Sequence, residues 1–365
     1  MRLRRAVPNS IAFELTWRCD QQCAYCYNVW KSPEGGYGVG EPLDTASFKA
    51  LIDRAVRQSG CSSLCITGGE PLLRHDALEL IAHAAGLGGP VVLITNGAHV
   101  TAAVADQLAA LPQVSVQLTL LAADRELHDA IRGRRNFDVA VDALATLRER
   151  RVPVTICFVC TRRNFAALPG VLDLAYASGV RELAFNRMAP AGQAARRLDE
   201  LAPTVEMLEA ALEAADDLAP RYGIRVATGI PIPPCLVSPD RHRGVSFATC
   251  STATTRPNFV VDYQGNLRSC NLSPVILGNL CRQSWRRAVN GGAGASYLRR
   301  FARALPPVCR PCTLARSCRG GCKEAAHACY GSLEEEEPLL RSRRLEPAAL
   351  WNVRQAAATD DLVER

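Results

Sequence analysis

The chain has 365 residues, with 43 Lys and Arg against 36 Asp and Glu and a formal net charge of +7, enough for two or three domains and a sizeable core. A hydrophobic content of 48% excludes a disordered chain, and the lack of any run of about 20 apolar residues excludes a membrane span. The charge is mild and almost all Arg, and the clusters at Arg299, Arg300 and Arg303 and at Arg341 and Arg344 carry no interleaved aromatic residues, so no nucleic-acid partner is expected.

Residues 1–10 form an N-terminal extension without the apolar segment of a signal peptide, which points to a cytoplasmic protein. From residue 11 to 228, short β-branched runs alternate with longer amphipathic segments. The runs 11–17, 63–67, 90–95, 114–120, 153–160 and 182–187 predict strands, and 44–59, 75–87, 100–110, 126–150, 166–179 and 203–221 predict helices. Six repeated strand–helix units imply an α/β fold, a partial (β/α)6 TIM-like barrel with a parallel sheet inside and helices outside. The loops after the carboxyl ends of such strands build the active site. Residues 229–245, opening on Ile230-Pro-Ile-Pro-Pro234, read as a linker. A small Cys-rich domain follows over 246–332, with too little regular structure to stand without metal, and then a tail over 333–365. The acidic run from Glu334 to Glu337 reads as solvated surface.

The 16 cysteines decide the chemistry. In a reducing cytoplasm they point to metal rather than disulfides. Cys61, Cys65, Cys157 and Cys160 lie in apolar runs and read as small buried hydrophobes. Cys19-x3-Cys23-x2-Cys26 follows the first strand and offers three thiolates from one loop, leaving one metal valence open. A zinc site would need a fourth ligand, for which His75 and His83 are the candidates. The second strand ends in Gly68-Gly69-Glu70-Pro71, where two glycines admit close backbone approach and a carboxylate can receive an ammonium group.

The triplet, Tyr25 and this Gly-Gly-Glu-Pro loop together resemble the radical S-adenosylmethionine (SAM) superfamily. The resemblance implies that Cys19, Cys23 and Cys26 hold a [4Fe–4S] cluster whose fourth iron is chelated by SAM. It places Tyr25 near the adenine and Gly68, Gly69 and Glu70 at the methionyl amine. One electron from the cluster then cleaves the sulfonium to give a 5′-deoxyadenosyl radical, the cofactor supplying the chemistry and the barrel orienting it. The segment Val116-Gln-Leu-Thr-Leu-Leu121 resembles the family's fourth strand. Thr119 keeps a hydroxyl toward the SAM ribose there, although Leu121 and Ala122 replace the usual Asp and Gly. Asn164 and Arg187 resemble polar SAM contacts, with a turn former and a surface ion pair as the respective alternatives.

Cys250-x14-Gly265-x4-Cys270, then Cys309-x2-Cys312-x5-Cys318-x3-Cys322, resembles the SPASM extension of these enzymes, which binds auxiliary [4Fe–4S] clusters. By that resemblance Cys250, Cys270 and Cys322 serve a first auxiliary cluster, and Cys309, Cys312 and Cys318 a second. Asp262-Tyr-Gln-Gly265-Asn reads as a hairpin turn with Cys270 on the returning strand. Arg256 stands where relatives often have another cysteine, so either Cys235 swings in from the linker or an open iron faces substrate. Leu340 stands where the last cysteine is expected, which leaves Cys329 as the fourth ligand of the second cluster. Cys281 reads as a bystander.

The resemblance implies an oxidoreductase or maturase that crosslinks or dehydrogenates a ribosomally made precursor peptide. It draws electrons from a donor such as flavodoxin or ferredoxin. The first strand begins too near the start for an N-terminal peptide-recognition domain, so a separate peptide-recognition protein is expected. A small-molecule substrate (a tetrapyrrole, quinone precursor or sugar) is the alternative, and a non-catalytic iron–sulfur or zinc protein the third reading. Asn271 follows Cys270 where sulfatase-maturing relatives have Asp, which argues against that activity.

Overall fold

The computed structural model describes residues 7–31 and 40–342. The first six residues and the tail beyond 342 lie outside the described residues. The six expected strands are present: β1 (Ser10–Glu14), β2 (Ser63–Thr67), β3 (Val91–Thr95), β4 (Val114–Thr119), β5 (Val154–Cys160) and β6 (Glu182–Arg187). Each pairs in parallel with the next. Two short strands unread in the sequence, β7 (Arg225–Thr228) and β8 (Val245–Ser246), extend the sheet past β6.

The Cys-rich half continues the same sheet. β9 (Asn258–Val261) pairs in parallel with the free edge of β1, and β10 (Asn266–Arg268) and β11 (Ile276–Asn279) follow antiparallel. The result is one open sheet of eleven strands, ordered β11-β10-β9-β1-β2-β3-β4-β5-β6-β7-β8. The hairpin turn forms as read: Gly265 takes φ 81°, and the Asp262 carboxylate accepts from Gln264 and Asn266 N–H at 2.9 Å each. Cys270, however, lies beyond the end of β10, not on it.

The helices of this half are α1 (Thr45–Ser59), α2 (Ala77–Ala85), α3 (Ala102–Ala109), α4 (Arg125–Arg132), α5 (Phe137–Glu149), α6 (Leu168–Ala177), α7 (Leu198–Leu201) and α8 (Val205–Tyr222); all but α4 and α7 pack on the sheet's outer face, and those two join the buried cluster of Cys23 and Tyr25. Side chains of Asp44, Thr101, Asp124 and Thr204 cap four of them at the N-terminus. The single helix expected over 126–150 is instead α4 and α5. Gly133 closes α4 in the left-handed conformation at φ 71°. Asp129 then accepts from the N–H groups of Asn136 and Phe137 at 2.8 and 2.9 Å, which starts α5.

Strand alternation decides what the two sheet faces do. Ile11, Phe13, Leu64, Ile66, Val116, Leu118, Ile156 and Phe158 are buried against the helices. The opposite face carries small or polar residues, including Ser10, Ala12, Cys65, Gln117 and Asn186, and these line a cavity. A parallel sheet covered by helices on both sides would read as continuous apolar runs. Here the inner face is left for a ligand.

Beyond the hairpin come α9 (Trp285–Asn290), α10 (Gly292–Arg303), α11 (Ala315–Cys318), α12 (Lys323–Tyr330) and α13 (Pro338–Ser342). Phe259 and Trp285 meet edge-on at 5.1 Å, joining α9 to the sheet. The acidic run is not uniformly solvated: Glu337 is fully buried. No described helix is long and apolar enough to cross a membrane.

Candidate active site

The first loop leaves the carboxyl end of β1 and is clamped by the loop after β2. Gly69 N–H donates to Thr16 O at 2.7 Å, and Glu70 N–H to Arg18 O at 2.8 Å. A Cβ at Gly69 would stand 2.1 Å from Arg18 O, and one at Gly68, whose φ is 141°, 2.5 Å from Thr16 O. The two glycines therefore allow backbone to lie on backbone just before Cys19. Asn28, just after the triplet, donates from Nδ2 to Gly68 O at 3.0 Å and closes the clamp from the other end.

Glu70 is buried, and its carboxylate accepts from Thr95 Oγ1 and Asn96 N–H at 2.8 Å each and from Leu72 N–H at 3.2 Å. Two carboxylate oxygens offer about four acceptor sites, so one remains for an ammonium group. Burial pushes the Glu70 pKa upward, against those hydrogen bonds. Asn96 in turn donates to Asp20 Oδ1 at 2.9 Å, tying the third strand's end to the cysteine loop.

Within the triplet, Cys26 N–H donates to Cys23 O at 3.1 Å, and Gln21 N–H lies 3.4 Å from Cys19 Sγ. Burial pushes the Cys19 thiol up to about 11 and that of Cys26 upward as well. A metal centre would reverse that preference by stabilising the thiolates. The buried Arg132 guanidinium lies 3.6 Å from Cys23 Sγ, 3.2 Å from the Tyr25 hydroxyl and 3.1 Å from Thr119 O. One cation thereby joins three residues read from the sequence: Cys23, Tyr25 and Thr119.

Two predicted SAM contacts have other partners. Asn164 accepts from Thr161 N–H and Oγ1 in its own turn at 2.7 Å each, and donates to Val159 O and, across to the segment just past β4, to Leu121 O. Arg187 is neither exposed nor a surface pair. It is buried with Glu337 at 2.5 Å and donates to Pro231 O at 2.8 Å. Glu337 also accepts from Cys322 N–H at 3.2 Å. His83 lies on α2, its Nε2 2.8 Å from Asp53, and so is committed away from the triplet as a zinc ligand.

The first auxiliary set converges on the inner cavity. Cys250, Cys270 and Cys322 line a space of about 400 Å³ together with the inward residues of β1, β2, β3, β4 and β6. Burial pushes the Cys322 thiol up to about 12 and that of Cys270 upward. Arg256 is not in this wall; it donates to Ser62 Oγ at 2.9 Å.

The second set, Cys309, Cys312 and Cys318, lines a separate small cavity of about 20 Å³ with Cys235 and Leu340. This corrects two expectations. Cys235 belongs with the second set, not the first. Cys329 is not with the second set: α12 carries it about 10 Å along its axis from Cys322. It is buried against Cys23, Tyr25 and Met188, with Sγ 3.6 Å from Pro190 O. Cys281, exposed like Cys235, lines neither of these two cavities.

Sequence reasoning missed Tyr27 and Glu324. Both line the large cavity. The Tyr27 hydroxyl accepts from Asn271 at 3.4 Å, and Glu324 accepts from the hydroxyls of Tyr297 and Ser269. Their positions, one residue after Cys26 and two after Cys322, are the signal that could have found them.

The donor sets are thiols alone, which suits iron–sulfur clusters or zinc. The residues present thus fit clusters, and the loop glycines and Glu70 fit an amine-bearing ligand beside the first.

Comparison with known proteins agrees. Residues 13–175 match the model of the Radical SAM superfamily. PqqA peptide cyclase of Xanthomonas oryzae pv. oryzae (strain MAFF 311018) is 30% identical over 91% of this chain and 87% of that protein. Mycofactocin maturase MftC of Mycobacterium tuberculosis (strain CDC 1551 / Oshkosh) is 31% identical over 93% and 85%. In fold, the chain matches Streptococcus suis SuiB bound to precursor peptide SuiA, with a TM-score of 0.74 at 15% identity over 92% of this chain and 76% of that one. It likewise matches native anSMEcpe with bound AdoMet, with a TM-score of 0.70 at 18% identity over 96% and 100%. The chain belongs to the radical SAM superfamily, with the cysteine-rich carboxy-terminal extension of its SPASM-bearing members.

Proposed function

We propose that this enzyme oxidatively modifies a ribosomally made peptide, by crosslinking or dehydrogenation, in the cavity between the barrel's inner face and its first auxiliary cysteines. The observation that carries the reading is that single cavity, shared by Tyr27 of the first loop, inward residues of five barrel strands and Cys250, Cys270 and Cys322. A hydrogen taken from the substrate on one side leaves an electron to remove, and the thiol set faces it on the other. The two curated relatives above, one named as a peptide cyclase, support a peptide over a metabolite.

Cys19, Cys23 and Cys26 would hold the SAM-binding cluster, with Gly68, Gly69 and Glu70 at the amine of SAM and Tyr25 and Thr119 nearby. Bound there, cluster and SAM supply a 5′-deoxyadenosyl radical. The chain's own part is to orient and to exclude water. Arg132 sets the charge beside Cys23. With Arg256 and Cys235 both directed elsewhere, the first auxiliary set opens one corner to the cavity. Residues 246–332 would form the auxiliary-cluster domain. A flavodoxin or ferredoxin would deliver electrons, and a separate recognition protein would present the peptide, all in the cytoplasm.

The test is anaerobic incubation of reconstituted enzyme with SAM, dithionite and short peptides encoded beside its gene. An altered peptide mass appearing together with 5′-deoxyadenosine is expected. Turnover of a small metabolite, with every peptide unaltered, would overturn the peptide reading.

A further inference from the structure

The small cavity of the second auxiliary set raises a question of donors. Three thiols, Cys309, Cys312 and Cys318, surround it, and the side chain at 340 is Leu, which has no lone pair to give a metal. Cys329, the cysteine nearest in sequence, is on the far end of α12 against Cys23 and Tyr25. Cys322 lines the other cavity. One thiol remains, and it comes from a distant part of the chain.

We infer that Cys235, in the segment between barrel and Cys-rich half, is the fourth protein ligand of the second auxiliary cluster. This rests on the reading that Cys309, Cys312 and Cys318 hold such a cluster. Cys235 lines the same cavity as those three and as Leu340. The segment is pinned on both sides. Arg187 holds Pro231 O at 2.8 Å, and Leu236 and Val237 N–H both turn back onto Pro233 O, at 2.9 and 3.2 Å. Ile232, Leu236 and Val237 are buried, so the residue between these anchors is presented to the cavity at little further entropic cost. Gly321, whose Cβ would stand 3.1 Å from Pro233, lets the segment lie against the turn after Cys318.

Ligation by Cys235 releases its thiol proton and closes the set at four thiolates. The two auxiliary centres then differ in kind. The first keeps a corner toward substrate; the second is closed and relays electrons only. The segment 229–245 thus supplies a ligand as well as a connection, and metal ties the two halves of the chain together.

The experiment measures iron and labile sulfide per chain, the electron paramagnetic resonance spectrum of the reduced protein, and circular dichroism for folding. It compares Cys235→Ala, Cys309→Ala, Cys281→Ala and the double variant Cys235→Ala/Leu340→Cys. Cys235→Ala is expected to lose up to about a third of the iron and sulfide, as Cys309→Ala does. The double variant should recover them, because position 340 borders the same cavity, and Cys281→Ala should match the wild type. If Cys235→Ala keeps full iron, sulfide and spectrum while Cys309→Ala loses them, the inference falls and the cluster reading stands. If Cys309→Ala also keeps them, the cluster reading falls, and the inference with it.

Discussion

Arg132 is the side chain whose chemistry reaches furthest from where it stands. It is buried at the last turn of α4, and its guanidinium lies against Cys23 Sγ and the Tyr25 hydroxyl. A buried charge-assisted hydrogen bond contributes about 1.5–3 kcal/mol. Removing it from a thiolate ligand favours the oxidised, less negative cluster. Arg132→Gln should therefore lower the potential of the SAM-binding cluster by on the order of 60 mV or more for a one-electron couple. Redox titration monitored by electron paramagnetic resonance reads this, and an unchanged potential would detach Arg132 from the cluster. The cysteine triplet and the Gly-Gly-Glu loop were legible in the sequence because their spacing is local, whereas the places of Cys235 and Cys329 were not. Nor were those of Arg187 and Asn164. Arg187 finds its partner 150 positions away in Glu337, and no pattern in either segment announces the pair. Asn164 is a turn former with three bonds in its own neighbourhood and a fourth to Leu121 O, 43 positions away, and sequence alone offered both readings.

At the scale of elements, the loop after β2 is a clamp with its own electrostatic brace. Arg74 donates to Leu15 O and Leu43 O and pairs with Asp76 at 2.6 Å, while Thr45 donates to the same carboxylate. Burial works against the Asp76 charge, but the bonds from Arg74 and Thr45 prevail and hold its pKa down at about 2. A carboxyl depressed on folding contributes stability that is complete above its unfolded value of 3.8 and is lost as pH falls through about 2. Asp76→Asn should thus cost about 2 kcal/mol at neutral pH, and the gap to wild type should close between pH 4 and 2. Denaturant unfolding across that range checks it; a gap independent of pH would refute the brace. The clamp itself is tested by Gly69→Ala. Its Cβ meets a backbone oxygen at 2.1 Å, so a loss of about 2 kcal/mol or more and of SAM binding is expected. Wild-type SAM affinity by equilibrium dialysis would contradict it. Helix periodicity was legible in the barrel, but α9 to α12 of the Cys-rich half were not read, nor was the break at Gly133, since Arg134 and Arg135 keep the polar pattern running across it.

Across the whole molecule, two buried ion pairs fasten the Cys-rich half to the barrel. Arg268 of β10 pairs with Glu14 of β1, and Arg187 of β6 with Glu337. A composition change marked where one half gives way to the other, but not that β9 would extend the barrel's own sheet from β1; strand order is a long-range property that composition does not encode. Losing one partner of a buried pair strands the other charge. Arg187→Met should cost about 3–5 kcal/mol, and Arg187→Met/Glu337→Leu should recover most of it. Equal losses for single and double variants, by thermal unfolding of the oxygen-protected protein, would deny the pair that role.

The central claim is that Cys19, Cys23 and Cys26 leave one corner of an iron–sulfur cube for SAM to occupy and be split. The direct measurement is 5′-deoxyadenosine released by the anaerobically reconstituted protein with SAM and dithionite, wild type beside Cys19→Ala. The account predicts product from the wild type and none from the variant, with both chains folded. Wild-type protein carrying iron and sulfide yet releasing no 5′-deoxyadenosine, or a variant as active as wild type, would contradict it.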